Sequence, residues 1–217
     1  KMKEVVDQGD ETVIPAASTA QVEAWNQVWR TTQFSDPPEE DEPSDEQLAA
    51  LHSRVVTSQL VPYVDMGVWT AHGRRALRAL KFRNWTLNPD GTYSSREMPG
   101  PGNFTQWTAA WRVFTVAMVM IGQATLQALE EYSRNLERLN MLYPDAWHLL
   151  YTADDRCRSV HISRIKRKCA ADMAANAPAP PGFGASPWGI YFALAARDTK
   201  YWDQQVVQPA LVWIARG

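Results

Sequence analysis

The side chains with the most reactive chemistry in this sequence are two cysteines, four histidines and the adjacent acids Asp154 and Asp155. Cys157 and His161 lie four positions apart, so on a helix they would share one face and could offer two ligands to a metal ion. A structural zinc site needs closely spaced pairs of ligands, and Cys169 is the only other cysteine. We therefore interpret both cysteines as buried structural residues and predict no metal site.

No motif of a familiar catalytic or cofactor-binding loop is present. The sequence has no Walker A loop, no dinucleotide-binding glycine pattern and no nucleophile elbow. Asp154 and Asp155 are adjacent, so on a helix they point to different faces and fit helix capping better than metal binding. The histidines are scattered, and a catalytic role would need a partner that the sequence does not place; they are His52, His72, His148 and His161. We predict no catalytic residue, no cofactor and no enzymatic activity.

Two clusters of basic residues could bind a polyanion. The first comprises Arg74, Arg75, Arg78, Lys81 and Arg83. The second comprises Arg156, Arg158, Arg164, Lys166, Arg167 and Lys168. Clustered lysine and arginine side chains bind the phosphate backbone of nucleic acids without reading the base sequence. We predict weak, sequence-independent RNA binding by these residues; the alternative is a solvated helix face without a ligand.

The acidic residues are concentrated elsewhere in the chain. The net charge is −2, but seven acids and no basic residue lie between Ser35 and Gln47, so the rest of the chain carries +5. Like charges and prolines predict an extended or mobile acidic linker over residues 35–47. Such a linker could cover the basic residues of the body when no RNA is bound.

The linker divides the chain into an N-terminal arm, residues 1–34, and a helical body, residues 48–217. Residues 1–17 lack periodicity and predict extended chain. A capping-box pattern at Ser18 then starts a short helix, and its apolar stripe comprises Val22, Trp25, Val28 and Trp29. Because so short a helix is not stable alone, we expect it to dock on the body or on a second copy, and we predict self-association through these four residues.

The body is predicted to be mainly α, a helical bundle with one β-hairpin insertion and the extended N-terminal arm. Strands flanking the turn sequence Asn88-Pro89-Asp90-Gly91 predict the hairpin over residues 82–98. Predicted helices run from Ser44 to about Val61, Gly73 to Phe82, Phe104 to Gly122, Thr125 to Tyr143, Asp145 to about Asn176 with Asp154 as a candidate break, and Ser186 onward with Pro209 as a kink. Two of these helices have predicted caps: a capping-box pattern at Ser44 and a cap at Thr125.

The helix from Phe104 to Gly122 is apolar over most of its circumference, which is typical of the centre of a bundle. Trp107, Trp111 and Phe114 are predicted to be mostly buried there. In the next helix, the leucines are predicted to face inward; they are Leu126, Leu129, Leu136, Leu139 and Leu142.

Several stretches of the body carry a family resemblance. They are Val61-Pro62-Tyr63-Val64-Asp65 with Gly73-Arg74-Arg75, Pro99-Gly100-Pro101 with Phe104-Thr105-Gln106-Trp107, Ala146-Trp147 with Tyr151-Thr152-Ala153-Asp154-Asp155-Arg156-Cys157-Arg158-Ser159, and Pro180-Pro181-Gly182-Phe183 with Pro187-Trp188. Over roughly residues 60–210, the chain resembles an abundant class of dinoflagellate open reading frames, of unestablished activity, found beside retroelement reverse transcriptases. That position implies a Gag-like protein that self-assembles and packages or coats RNA non-specifically.

A second function remains open: a structural or accessory scaffold subunit of a larger protein assembly, held by Trp-rich surfaces and without nucleic acid. The ten tryptophans fit either function. The longest apolar run, Val113 to Gly122, is too short to span a bilayer, so we expect no membrane partner. No signal peptide is visible, and we expect an intracellular protein, cytoplasmic or nuclear and not secreted.

Overall fold

The computed structural model describes residues 16–70, 84–87, 93–96, 100–180, 184 and 186–215. Over these residues the protein is mainly α-helical, which confirms the predicted class. The helices are α1 (Thr19–Gln33), α2 (Asp45–His52), α3 (Phe104–Met120), α4 (Leu126–Leu142), α5 (Trp147–Arg156), α6 (Ile162–Ala174), α7 (Gly189–Arg197), α8 (Thr199–Trp202) and α9 (Gln208–Ile214). The predicted helix from Gly73 to Phe82 lies outside the described residues.

Short 3-10 and π turns join several of these helices. The 3-10 turns are Glu39–Asp41, Met66–Trp69 and Pro144–Ala146, and the π turns are Ser53–Thr57, Cys157–His161 and Asp203–Val207. The chain therefore stays helical past Asp154, and a wider π turn joins α5 to α6 where a break was expected. Pro209 also lies within a continuing helix: it has no N–H to donate, and the π turn directly before it accommodates that loss.

Helix α3 lies at the centre of the structure. Asn103 caps its first turn, because the Asn103 side-chain oxygen accepts a hydrogen bond from the Gln106 N–H. Trp107, Trp111 and Phe114 are all at most 3% exposed, which confirms their predicted burial. Helices α1 and α4 pack against α3, as does the 3-10 turn Met66–Trp69.

An aromatic cluster joins α3 to its neighbours. The Trp111 ring stacks on the Trp107 ring at a centroid distance of 5.0 Å and on the Tyr132 ring at 5.1 Å. The Phe192 ring of α7 meets Trp111 edge-on at 5.8 Å. Because such aromatic pairs add to the stabilisation from burial alone, this cluster fixes α3, α4 and α7 relative to one another.

Helix α4 differs from its prediction at both ends. The Thr125 side chain makes no capping hydrogen bond; instead the Thr125 N–H donates to the Ser186 hydroxyl at 3.0 Å. Leu129, Leu136 and Leu139 are fully buried as predicted, and Leu126 is partly buried against the core. Leu142 was predicted to face inward but is 58% exposed, because it is the last residue of the helix.

The acidic segment is folded, so the prediction of an extended or mobile linker is wrong for residues 39–47. Its 3-10 turn packs against α3, and Pro43 is buried. Ser44 and Gln47 form the predicted capping box of α2, and the Gln47 side chain also donates to the Val68 carbonyl at 2.9 Å. Composition reports the charge of this segment, whereas these buried contacts determine its conformation.

Two short strands, β1 (Asn84–Leu87) and β2 (Tyr93–Arg96), pair antiparallel, with Asn84 opposite Arg96 and Leu87 opposite Tyr93. Both lie within the predicted span 82–98. The predicted turn at residues 88–91 lies outside the described residues, so a hairpin insertion within the helical body stays a prediction.

Replacing Trp111 with Ala should lower the free energy of unfolding by about 3–5 kcal/mol, since its ring contacts four others in the core. Urea denaturation followed by circular dichroism measures this loss. Trp213→Ala, at a site 44% exposed, is the control and should cost about 0.5 kcal/mol or less. Equal losses at the two sites would contradict the central position of Trp111.

Candidate functional site

A buried ion pair joins Asp154 to Arg158. The Asp154 side chain is 0% exposed and the Arg158 side chain 1% exposed. The Arg158 Nε donates to Asp154 Oδ2 at 3.0 Å, and Nη1 donates to the Val64 carbonyl at 3.0 Å. Because a charge buried without a partner is very costly, each of these two residues stabilises the other in the interior.

Neutral donors complete the surroundings of the Asp154 carboxylate. The Trp107 indole N–H donates to Oδ2 at 3.0 Å, and the Tyr132 hydroxyl donates to Oδ1 at 2.9 Å. Burial, and then the charge of Asp154, raises the pKa of Tyr132 well above its usual value, so its hydroxyl keeps the proton that it donates. The pair and its donors thus tie together α3, α4, α5, the following π turn and the segment before the 3-10 turn Met66–Trp69.

The outer side of this network reaches the surface at Asp155, whose side chain is 37% exposed. The Tyr63 hydroxyl donates to Asp155 Oδ1 at 2.9 Å, and the Tyr63 ring faces the Arg158 guanidinium at 5.5 Å. Burial raises the pKa of Tyr63, and the neighbouring Asp155 charge raises it further. Tyr63 therefore keeps its proton and acts as a hydrogen-bond donor that holds Asp155 against the buried pair.

Arg158 was predicted to bind nucleic acid, and the structure shows that this is wrong. Its side chain is buried and occupied by Asp154 and Val64. The spacing Asp154–Arg158, four residues apart on a helix, was the available sequence signal for an ion pair. Spacing alone does not distinguish a buried pair from an exposed one, which is why this residue was misassigned.

Three of the stretches that carry the sequence resemblance meet at this network. Residues 61–65 contribute Tyr63 and Val64, residues 99–107 contribute Trp107, and residues 151–159 contribute the buried pair itself. In addition, the Trp147 indole N–H donates to the Pro101 carbonyl at 2.9 Å. These stretches therefore contain residues that hold the fold together.

Cys157 and His161 do not combine into a reactive site. Cys157 is fully buried, and burial raises the pKa of its thiol, so it is not a nucleophile at ordinary pH. His161 Nε2 lies 2.9 Å from Asp198 Oδ2, and the His161 ring stacks on Tyr201 at 4.1 Å. His161 thus fastens the Cys157–His161 π turn to the start of α8. Within the described ranges, no group of three or more metal-ligating side chains lies together.

Three members of the second basic cluster share one exposed face of α6. Arg164, Arg167 and Lys168 are exposed and follow the spacing i, i+3, i+4, which places them on the same side of a helix. Among the residues that the structure describes, none of the three has an ion-pair partner. We call these three residues the basic face.

The other basic residues are placed differently. Arg156 is exposed but donates to the Gln205 side chain at 3.0 Å. The Lys166 ammonium lies 4.1 Å from the centroid of the Trp188 ring, and partial burial lowers its pKa. Both residues are thus held by neighbours in their own chain. The first predicted cluster, comprising Arg74, Arg75, Arg78, Lys81 and Arg83, lies outside the described residues.

The predicted self-association residues pack against their own chain. Trp25 and Trp29 are 7% and 6% exposed and belong to the hydrophobic core, and Val22 packs against it. Val28 is half-buried. The sequence left two docking partners open for this helix, the body and a second copy, and the structure shows it docked on the body. Self-association through these residues stays a prediction, and it would require α1 to leave α3.

An exposed apolar surface lies at the end of α9. Four consecutive residues there are 44–56% exposed, namely Leu211, Val212, Trp213 and Ile214. Beside them is an open groove of about 410 Å³, lined by Leu149, Gln204, Gln208, Pro209, Val212 and Trp213. The sequence signal was the apolar run itself, but periodicity did not show that all four residues would be exposed.

Comparison with protein-family models, with curated proteins and with solved structures found no match to this chain. In the part of the chain that the structure describes, no helix is both long and apolar enough to cross a membrane. The candidate sites therefore rest on the geometry of this chain.

Replacing Arg158 with Met should lower the free energy of unfolding by about 3–5 kcal/mol, because Asp154 would be left buried without its counter-charge. Adding Asp154→Asn should recover part of that loss, since the amide oxygen still accepts a hydrogen bond. The matched control is Arg134→Met, which breaks an exposed pair of the same spacing with Glu130 and should cost about 0.5 kcal/mol or less. Urea denaturation of the wild type, both single variants, the double variant and the control measures these losses. A double variant as unstable as the sum of its two single variants would contradict the assignment.

The two thiols should differ in reactivity. Burial raises the pKa of Cys157, so at pH 8 its thiol stays protonated and enclosed. Cys169 is only partly buried, and burial raises its pKa too, so it should react slowly in the folded protein. Titration with a colorimetric thiol reagent, with and without urea, measures both. In the Cys169→Ser variant no thiol should react before unfolding, and rapid reaction there would show that Cys157 is accessible.

Proposed function

We propose that the protein is a Gag-like structural protein that self-assembles and binds the phosphate backbone of RNA without sequence preference, using the basic face of α6. The observation that supports this most is the absence of acidic partners for Arg164, Arg167 and Lys168 within the described residues. Three other exposed arginines of the described chain do have acidic partners, namely Arg30, Arg134 and Arg197. Cations without such partners are available to phosphates.

The geometry of the basic face suits a flexible anionic chain. The three residues lie within about 6 Å along the helix axis, given a rise of about 1.5 Å per residue. One stretch of backbone can therefore contact all three. Sequence reading in RNA depends on aromatic rings that stack on unpaired bases, and Trp188, the aromatic residue beside Lys166, is 3% exposed. The surroundings thus favour backbone contacts over base recognition.

The proposal also includes three expectations from the sequence that do not depend on the basic face. These are an origin in dinoflagellate retroelement-associated reading frames, an intracellular setting, and the hairpin insertion over residues 82–98. The first basic cluster would extend the RNA-binding surface. No catalytic residue, cofactor or metal is part of the proposal.

A scaffold function without nucleic acid is the second candidate, and the end of α9 favours it. Apolar side chains exposed on consecutive positions of a helix mark surfaces that another protein covers. Helix α9 would then hold the protein within a larger assembly, and the basic face would be a solvated surface.

Replacing Arg164, Arg167 and Lys168 with Gln should weaken RNA binding equally for all RNA sequences, because backbone contacts carry the affinity. If all three contact phosphates, the log–log slope of affinity against salt should fall in magnitude by about 2, at about 0.7 per phosphate for a single strand. Fluorescence polarisation with labelled single-stranded RNA at several salt concentrations measures both quantities.

The matched control replaces three exposed cations elsewhere, with Arg112→Gln, Arg138→Gln and Lys200→Gln. This variant has the same net charge as the first and should retain most of the affinity. If the two variants bind RNA equally well, net charge rather than the basic face determines binding. If the folded wild-type protein binds no RNA at low salt, the scaffold function is the better explanation.

A further inference from the structure

The folded acidic segment presents fixed negative charges at the surface. Glu39, Glu42, Asp45 and Glu46 are exposed, and none of the four has an ion-pair partner among the described residues. We call these four residues the acidic patch. Burial of Pro43, between these acids, and of Gln47, directly after them, holds the segment against the body. Its carboxylates are therefore fixed in position, unlike those of a mobile linker.

The acidic patch and the basic face are held on different parts of the fold. The 3-10 turn of the patch packs on α3, whereas the helix of the basic face packs on α7. No ion pair joins the two surfaces within the described chain. The sequence hypothesis that the acidic segment covers the basic residues of its own chain is therefore not what the structure shows for α6.

We propose that the acidic patch of one copy docks on the basic face of a second copy. The charges are complementary: four carboxylates lie within eight residues on one surface, and three cations lie within one helical turn on the other. Both sets are fixed by folded elements and lack partners in the described part of their own chain. A second copy of the chain therefore carries the opposite charges that each surface needs in a partner.

The geometry of this contact determines the kind of assembly. Two different surfaces meet, so the contact is head-to-tail: in a pair, one copy keeps a free acidic patch and the other keeps a free basic face. Addition of further copies produces a ring if the rotation closes and a filament if it does not. Exposed ion pairs are individually weak and are screened by salt, so the assembly forms at low ionic strength and dissociates at high ionic strength.

Charge reversal tests the proposal on the full chain, freed of nucleic acid. One variant carries Glu39→Lys, Glu42→Lys and Glu46→Lys, and the other carries Arg164→Glu, Arg167→Glu and Lys168→Glu. Sedimentation velocity is measured at about 0.01 M salt, where the Debye length is about 30 Å, and at about 1 M, where it is about 3 Å. The wild type should associate at low salt only, and each variant alone should remain monomeric.

The decisive sample is the equimolar mixture of the two variants. The reversed patch of the first variant is basic and complements the reversed face of the second, which is acidic. The unchanged acidic patch of the second variant complements the unchanged basic face of the first. The mixture should therefore associate at low salt as the wild type does. Matched controls reverse the same number of charges elsewhere, with Glu137→Lys, Asp145→Lys and Asp203→Lys in one protein and Arg112→Glu, Arg138→Glu and Lys200→Glu in the other. Each control protein should associate as the wild type does.

Three results would overturn the proposal: a wild type that is monomeric at low salt, a reversed variant that associates alone, or a mixture that stays monomeric although both variants are folded by circular dichroism. If a reversed variant does not fold, the variant with Gln at the same three positions replaces it and must abolish association. The inference uses the basic face of the proposed function but does not require RNA to bind there. If the wild type associates but binds no RNA, the RNA-binding part of the proposed function is contradicted and this inference is not.

Discussion

The fold depends on the buried pair Asp154–Arg158. Two opposite charges in the interior are tolerated only when they contact each other and when their remaining hydrogen-bonding atoms are occupied. Trp107, Tyr132 and the Val64 carbonyl supply those contacts from three different parts of the chain. An apolar core accepts many packings, whereas these directional bonds are satisfied by one arrangement of the helices that bear them. The surrounding aromatic cluster then adds stability to that arrangement.

The sequence predicted those features that depend on local pattern. The stripe containing Trp107, Trp111 and Phe114 follows helical spacing, and its burial needs no information from elsewhere in the chain. The capping box at Ser44 is likewise local. Arg158 shows the limit of such reasoning: it lies in a segment rich in basic residues, but its partners Val64 and Tyr63 are more than 90 residues away. Burial of a charge depends on such distant contacts, and composition averages over them.

The same limit applies to the surfaces. Counting charges identified both an acidic segment and a basic cluster, but it treated the first as mobile and the second as uniform. In the structure, Pro43 and Gln47 fix the acidic segment. The basic cluster divides into a buried arginine, two residues held by neighbours and three with no ion-pair partner among the described residues. The arm shows the opposite case, since its two tryptophans were expected to need a partner surface and found one within the chain.

The π turn Cys157–His161 sets the rotational phase between the two halves of one long helix. A π turn holds one residue more than an α turn, and each residue of an α-helix advances the side chains by about 100°. A chain lacking that residue could form a regular helix, but Arg164, Arg167 and Lys168 would then be rotated by about 100° relative to Asp154. Because of the inserted residue, the Asp154 carboxylate in the first half of the helix is buried, while the three cations of the basic face in the second half are exposed to solvent. Deleting one residue in this turn would rotate the basic face about the helix axis without changing any of its side chains.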